Sequence, residues 1–588
     1  MRRLSAVIGI VPTLFALAAC VEADVEDGET DSFGDGKADG GMAEGSPEAL
    51  GVLALVNDAG STAGALKSGA HVTSRVATGI VKHRDGADGL AGTADDDRFD
   101  SLAELDAIPF VGPATLAALL DHARDRGLVQ TGAKIEVIFS PQPAAQSHNA
   151  RIAKLVHDAQ QSVDIAMYSY SDAGIAAALA DATARGVKVR FLFETAGEDK
   201  SLTDPAARAA SRSGKLEAVG VDVRYVNKIL HHKFAIIDGP RDEVARASSA
   251  RIVMGSANWS NTGATVFDEN TMFIENSAEL GAAYQQEFDA LWRGSRDFTG
   301  PAPSQGQSSL SITPAQVADE AGLSVLFTRD NFVASGTDGA TWRVDPAKLR
   351  VSDELVAAIG RAKTSIHIGS AHIRLRPVAE ALIARKQADP ALDIRVHLDQ
   401  QEWISASGDA KQRAEVADCV ARATTSVAEA KCRLNDFLFS KALVDAGIEV
   451  RFKSYAYRWD ASYALQMHSK YLIIDGQELF SGSYNLSMNS EQGTFENALH
   501  LSGPQFAPLI GQFEQNFVSM WELGRAEGLL AKLDAQVSND PQIPLLFPSM
   551  ALTWSELDAL RILIRQNCTA ADSPDFRSNP AAHKVCTR

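Results

Sequence analysis

His468, Lys470 and Asp475 follow one another as H-x-K-x4-D, and Gly482-Ser483-Tyr484-Asn485 and then Glu496-Asn497 come after them. Tyr471 to Ile474 is an apolar run suited to a buried strand. Residues two apart on a strand share a face, so His468 and Lys470 can address one ligand. A neutral imidazole beside a fixed ammonium, with Ser and Asn donors on the next strand, makes a place for a phosphate. The same set occurs earlier: His231, Lys233 and Asp238, then Gly255-Ser256-Ala257-Asn258, then Glu269-Asn270. In both copies the Glu lies eleven residues after the Asn. One histidine on an apolar strand is usually a satisfied core residue. Two copies at matched spacing argue instead for a duplicated catalytic half-site.

These residues resemble the HKD motifs of the phospholipase D superfamily. The resemblance implies two α/β/α sandwich halves with pseudo-two-fold symmetry, each giving one motif to a shared site. It implies that His231 attacks phosphorus to form a phosphohistidine, while His468 protonates the leaving group and then activates water or an alcohol. Lys233, Lys470, Asn258 and Asn485 would hold the non-bridging oxygens, with Ser256 and Ser483 adjacent. Glu269 and Glu496 would orient the imidazoles through their second ring nitrogens, and Asp238 and Asp475 would support the strand ends. No metal and no cofactor is expected. His232 faces away from His231 by strand alternation and reads as structural. The motif pair identifies substrate poorly. Phospholipid hydrolysis to phosphatidate and a free head group is the leading expectation. A secreted nuclease and a phosphatidyltransferase of the cardiolipin synthase kind are the alternatives.

The elements that must position these groups read as strand–helix alternation from Lys134 onward. Strands are predicted at Ile135 to Phe139, Val163 to Tyr168 and Val187 to Phe193, with helices at Asn149 to Gln160 and Ala173 to Arg185. The second half repeats the order, with helices at Asp353 to Lys363 and Arg376 to Ala388 and strands at Ser365 to Ser370 and Leu392 to Leu398. Such alternation argues for a largely parallel or mixed sheet covered on both faces. Val221 to Arg224 matches Ile448 to Arg451, and Asn258 matches Asn485, at one offset, whereas His231 and His468 lie ten residues further apart. The second half therefore carries ten extra residues within Ser454 to Met467, and the first within Gly239 to Met254. Tyr455, Tyr457, Trp459 and Tyr463 make the second insertion a predicted substrate-contacting rim, with plain aromatic packing as the alternative.

At 588 residues the chain exceeds one core; a prior of ~150 residues per domain allows three or four. The predicted domains are 48–130, small and helical, 134–300 and 310–525, the two α/β halves, and a 526–588 extension. The net charge of −19 argues against long-range attraction to nucleic acid or an anionic membrane. Met1-Arg2-Arg3 and the apolar run to Ala19 form an export leader over 1–19, too short to span a bilayer comfortably. Leu17-Ala18-Ala19-Cys20 resembles a bacterial lipoprotein cleavage box, implying a lipidated (palmitate-bearing) Cys20 and outer-membrane anchoring; a leader cut to leave Cys20 a free thiol is the alternative. Residues 20–47 are an acidic tether that cannot bury enough apolar surface to fold. The chain is expected to act as a monomer on phospholipid, with nucleic acid the less favoured partner.

The other four cysteines fall into local pairs, and disulfides Cys419–Cys432 and Cys568–Cys586 are predicted, each closing a short loop worth ~3 kcal/mol. Leu102-Ala103-Glu104-Leu105, the turn Ile108 to Ala114 and Leu116 to Ala123 resemble a helix-hairpin-helix. Phe110 stands where that motif's first Gly would be, and no Lys or Arg lies in Leu105 to Ala123, which favours a docking role over DNA binding. The acidic loop spanning Asp85 to Asp97 reads as solvated, with Ca²⁺ binding the alternative.

Overall fold

The computed structural model describes residues 42–129, 132–312, 316–433, 437–573, 578–579 and 584–588. The expected leader, Cys20 and the tether up to residue 41 lie outside the described residues. Two mixed sheets of eight strands have the same spatial order. The first runs Lys134–Ser140, Glu269–Glu275, Arg251–Gly255, Lys233–Ile237, Ser162–Met167, Lys188–Phe193, Asp222–Tyr225, Arg296–Asp297. The second runs Leu323–Phe327, Asn497–Ser502, Glu478–Gly482, Lys470–Ile474, Ser365–Ser370, Asp393–Asp399, Glu449–Ala456, Leu546–Thr553. The central strands of each sheet are parallel, as crossover helices require, and each His–Lys strand joins them antiparallel.

Each His–Lys strand is clamped at its far end. Asp238 and Asp475 adopt φ of 54° and 55°, a left-handed conformation that Asp tolerates better than most residues. Asp238 accepts hydrogen bonds from the backbone N–H groups of Gln160, Gln161 and Ser162, and Asp475 from those of Lys363, Thr364 and Ser365. Each His–Lys strand is thereby fixed to its central neighbour. Trp292 and Phe288 from helix Ala278–Arg293, and Phe513, Phe517 and Trp521 from helix Ala507–Trp521, share one core with residues of both sheets, including Phe234 and Tyr471. Each such side chain contributes ~1.5–3 kcal/mol on burial, so a continuous core holds the halves together.

Two boundaries and the predicted rim differ from the sequence reading. Leu546–Thr553 lies in the expected extension, yet it pairs with Glu449–Ala456 as the edge strand of the second sheet. Ile543, Leu545, Cys568 and Cys586 join the core of that half, so described residues of the expected extension complete it. Within the span expected to be tether, Met42 is buried and Glu44 accepts the Leu102 N–H. In the insertion 454–467, Tyr455 is buried with its hydroxyl donating to Asp399 at 3.1 Å, and Tyr457 is buried donating to Asp572 at 3.1 Å. These two rings pack inside the half and do not form a rim; Trp459 stays 36% exposed. Both predicted disulfides are present.

The helical unit comprises Pro47–Asn57, Ala63–Gly69, Ser74–Arg84, Leu102–Asp106 and Pro113–Asp125. Ser46, Thr62, Thr73 and Ser101 cap the first four of these through their hydroxyls. The unit docks on Val244, Ala245 and Ala247, which lie in the first half's insertion. Those extra residues are a docking ledge. In the acidic loop, Asp95 accepts the N–H groups of Ala87 and Asp88, and Asp96 accepts that of Gly92. These carboxylates close the loop on itself.

Candidate active site

The two His–Lys strands end at the interface between the halves, and the chain crosses between sheets to join them. Thr494–Phe495 pairs with Ile229–Leu230, just before His231. Asp268 bridges Met467, just before His468. The His231 N–H donates to Phe495 O at 3.0 Å, and the His468 N–H to Asp268 O at 2.9 Å. The next residue in each crossing strand is the glutamate. Nδ1 of His231 therefore lies 2.7 Å from Glu496, and Nδ1 of His468 lies 2.7 Å from Glu269. Each histidine is oriented by the other half's carboxylate. Neither half holds a complete site.

A carboxylate can only accept from Nδ1–H, which leaves each Nε2 with its lone pair free. Burial pushes both imidazoles down, His468 to about 4 and His231 well below its ordinary value, with the neighbouring lysine charges adding to the fall. Lys233 and Lys470 are also buried, and each Nζ donates to the carbonyl of its own histidine, at 2.8 and 2.6 Å. Burial lowers Lys233 to about 7 and Lys470 to about 8, against the raising influence of Glu496 and Glu269. A phosphodiester anion placed among these four groups supplies the negative charge that burial has denied them. It would raise the imidazoles toward protonation, so the site acquires its acid only with an anionic ligand bound.

The two glutamates are not equivalent. Burial raises Glu496 to about 7 despite Lys233. For Glu269, the His468 and Lys470 interactions and the Ser256 hydrogen bond overcome the same burial and hold its carboxyl low. Ser256 and Ser483 were expected beside the substrate phosphate. Ser256 instead donates to Glu269 at 2.7 Å, and Ser483 accepts the Asn497 N–H at 3.0 Å. Both are fully buried, so they brace the carboxylates and do not face the cleft. Strand alternation gave no warning, because the strands end at Gly255 and Gly482. Asn258 and Asn485 each carry a buried Oδ1 with no hydrogen-bond partner among the described residues. An amide oxygen only accepts, so a contact from either residue to a phosphate oxygen would come from its Nδ2.

Residues 152–292 and 355–521, together just over half of the chain, match the family model described as "Cardiolipin synthase, PLD-like domain". The chain belongs to the phospholipase D superfamily. Both matched segments carry one HKD motif of the phospholipase D-like pair. Mitochondrial cardiolipin hydrolases are among the similar proteins: that of Xenopus tropicalis is 30% identical over 26% of this chain and 65% of its own length. The human one is 26% identical over 26% of this chain and 53% of its own length. The matched region is thus less than two thirds of these relatives. A Haemophilus influenzae phosphatidylserine synthase structure aligns at 13% identity with a TM-score of 0.44, covering 76% of this chain and 93% of that one. The phospholipase D family member Nuc from Salmonella typhimurium aligns at 18% identity with a TM-score of 0.21, covering 34% of this chain and 93% of that one.

Beside this phospholipase D-like core the cleft holds groups that motif spacing does not reveal. A cavity of about 320 Å³ is lined by Tyr168, Ile229, His231, His372, Arg374 and Asn485, among others. Tyr168 packs edge-on against His231, ring centroids 4.7 Å apart. Glu194 accepts the Leu230 N–H at 2.6 Å and Asp399 the Met467 N–H at 3.0 Å, fixing the residue before each histidine. Tyr168, Glu194, His372 and Asp399 all sit at the carboxyl ends of the central strands or just past them, where ligands of open α/β sheets bind. That rule was the available signal. His232 is fully buried, its Nε2 3.2 Å from Glu287 and its Nδ1 3.1 Å from the Asn497 amide.

Proposed function

We propose that this chain is a phospholipase D-type phosphodiesterase that hydrolyses phospholipid to phosphatidate and a free head group. The observation that carries the reading is the crossed pair of glutamate-held histidines, with two buried lysines beside them. His231 Nε2 attacks phosphorus as the bond to the head-group oxygen breaks, and His468, protonated in the presence of the anion, gives its Nε2 proton to that oxygen. Water then attacks the phosphohistidine, His468 takes its proton, and the N–P electrons return to His231. Lys233, Lys470, Asn258 and Asn485 hold the non-bridging oxygens throughout.

Apolar exposure at the cleft favours lipid over polynucleotide. Ile229 and Tyr168, 43% and 37% exposed, lie in the cleft wall, and Trp459 and Leu465 are exposed on the segment leading into His468. The helix-hairpin-helix resemblance is the case for DNA, but Phe110 at its turn has φ of 74° and is exposed. Lipidation of Cys20 and outer-membrane residence belong to the same proposal, since an acyl anchor would hold the enzyme on its substrate. Purified protein is to be incubated in EDTA with a phospholipid panel and with DNA. Phosphatidate release supports the reading; cleavage of DNA without phospholipid turnover overturns it in favour of a nuclease.

A further inference from the structure

The catalytic groups obey the pseudo-two-fold, but a phosphodiester with two different alcohols does not. Residues that break the symmetry inside the cleft are therefore the ones able to tell its two sides apart. Ile373 bridges Leu486 just as Tyr170 bridges Trp259, so His372 and Arg374 correspond to Ser169 and Ser171. The second half thus carries an imidazole and a guanidinium where the first carries two hydroxyls. Both side chains line the catalytic cavity, and Arg374 is tied beside Asn485 by its N–H donating to Leu486 O at 2.7 Å.

This pair is built into place. Glu402, fully buried, lies 2.8 Å from His372 Nδ1 and accepts from Arg374 Nε at 2.9 Å and from the Ile373 N–H at 3.2 Å. Burial alone would raise the Glu402 carboxyl, but His372 and Arg374 together hold it below its ordinary value. Arg374 Nη2 also meets Glu402, at 2.7 Å, which leaves Nη1 for a ligand. The Nδ1–H···carboxylate arrangement of His372 repeats that of the catalytic histidines and leaves its Nε2 free as well. Arg374 thus presents a braced, planar guanidinium of the kind that recognises a carboxylate or phosphate, and His372 Nε2 joins it as a donor when the ring is protonated on both nitrogens.

We propose that His372 and Arg374, held by Glu402, form a subsite for a second anionic group on the substrate, so that the preferred phospholipids carry a carboxylate or phosphate in the head group. This rests on the phospholipase D reading of the same cleft. The test compares kcat/KM for short-chain phosphatidylserine, phosphatidylglycerophosphate and phosphatidylcholine in wild type, His372→Gln, Arg374→Gln and Arg374→Lys; the lysine variant keeps a cation beside buried Glu402. Bis(p-nitrophenyl) phosphate, which has no second anionic group, reports on the histidine pair separately. The expected result is a wild-type preference of ~10-fold or more for an anionic head group, lost in both glutamine variants and partly kept in the lysine variant. The serine and glycerophosphate arms show whether carboxylate or phosphate is read. No wild-type preference, or one unchanged by the glutamine variants, overturns the subsite. If wild type cleaves the aryl diester but no phospholipid, the lipid reading fails alone. The subsite is then tested with aryl phosphodiesters with and without a ring carboxylate, and equal rates in wild type overturn it.

Discussion

Replacing Glu496 by Gln probes the crossed architecture directly, because the residue sits in the second half and acts on the histidine of the first. The substitution keeps volume at a fully buried position, so the fold should survive. What it removes is the charge-assisted contact 2.7 Å from His231 Nδ1. Such a bond is worth ~1.5–3 kcal/mol, or roughly 10- to 150-fold in rate. The tautomer adds to this. A Gln amide turned to donate to Nδ1 forces the ring proton onto Nε2, which removes the lone pair that attacks phosphorus. An analogous loss in the serine protease triad costs ~10,000-fold. Glu496→Gln should therefore lose roughly 100- to 10,000-fold in kcat with an unchanged melting temperature. Rapid-quench kinetics should place the defect in formation of the covalent intermediate. Glu269→Gln, acting on His468, should instead impair leaving-group protonation and hydrolysis. Retention of more than about a tenth of wild-type kcat by Glu496→Gln would refute the reasoning, as would an exchange of the two kinetic phenotypes.

His232→Ala should keep the chemistry, since that ring is buried against Glu287 and Asn497; its cost should appear in denaturant melts as ~1–3 kcal/mol from the partners left unpaired. In a pH profile, kcat/KM should fall above the range set by Lys233 and Lys470, about 7 and about 8, as the ammoniums that hold phosphate lose their protons. It should fall again at low pH, where His231, which burial holds well below the ordinary imidazole range, takes up a proton and loses the lone pair that attacks phosphorus; a flat profile from 5 to 10 would contradict the lysine shifts. Cys568→Ser opens an 18-residue loop in the second half and should lower stability by ~3 kcal/mol in a thermal melt, with activity at 25 °C retained.

The doubled motif was legible because it is local: His, Lys, Asp, Ser, Asn and Glu recur at fixed spacing, and a periodic apolar run shows the strand that carries them. The partnership of Glu496 with His231 and of Glu269 with His468 was not legible, because it depends on how two sheets face each other. His372, Arg374 and Glu402 were invisible for the opposite reason. They occur once, so duplication does not mark them, and they converge only when strand ends meet. The insertion 239–254 could be counted from offsets, but its role as a ledge for the helical unit needed Val244 and Ala247 to be seen under that unit. The strand Leu546–Thr553 escaped notice because Pro548 interrupts its pattern, and a proline is tolerated there because the strand is an edge.

The central claim is that one histidine from each half serves one phosphorus, with His231 as nucleophile. The most direct test uses His468→Ala with a phosphatidyl ester of p-nitrophenol, a leaving group that needs no acid. Attack should then proceed while hydrolysis, deprived of its base, stalls. Acid-free quenching and peptide mass spectrometry should find the phosphatidyl adduct on His231 after a stoichiometric burst of nitrophenol. An adduct on His468 in the reciprocal His231→Ala protein, with none on His231 in His468→Ala, would contradict the account.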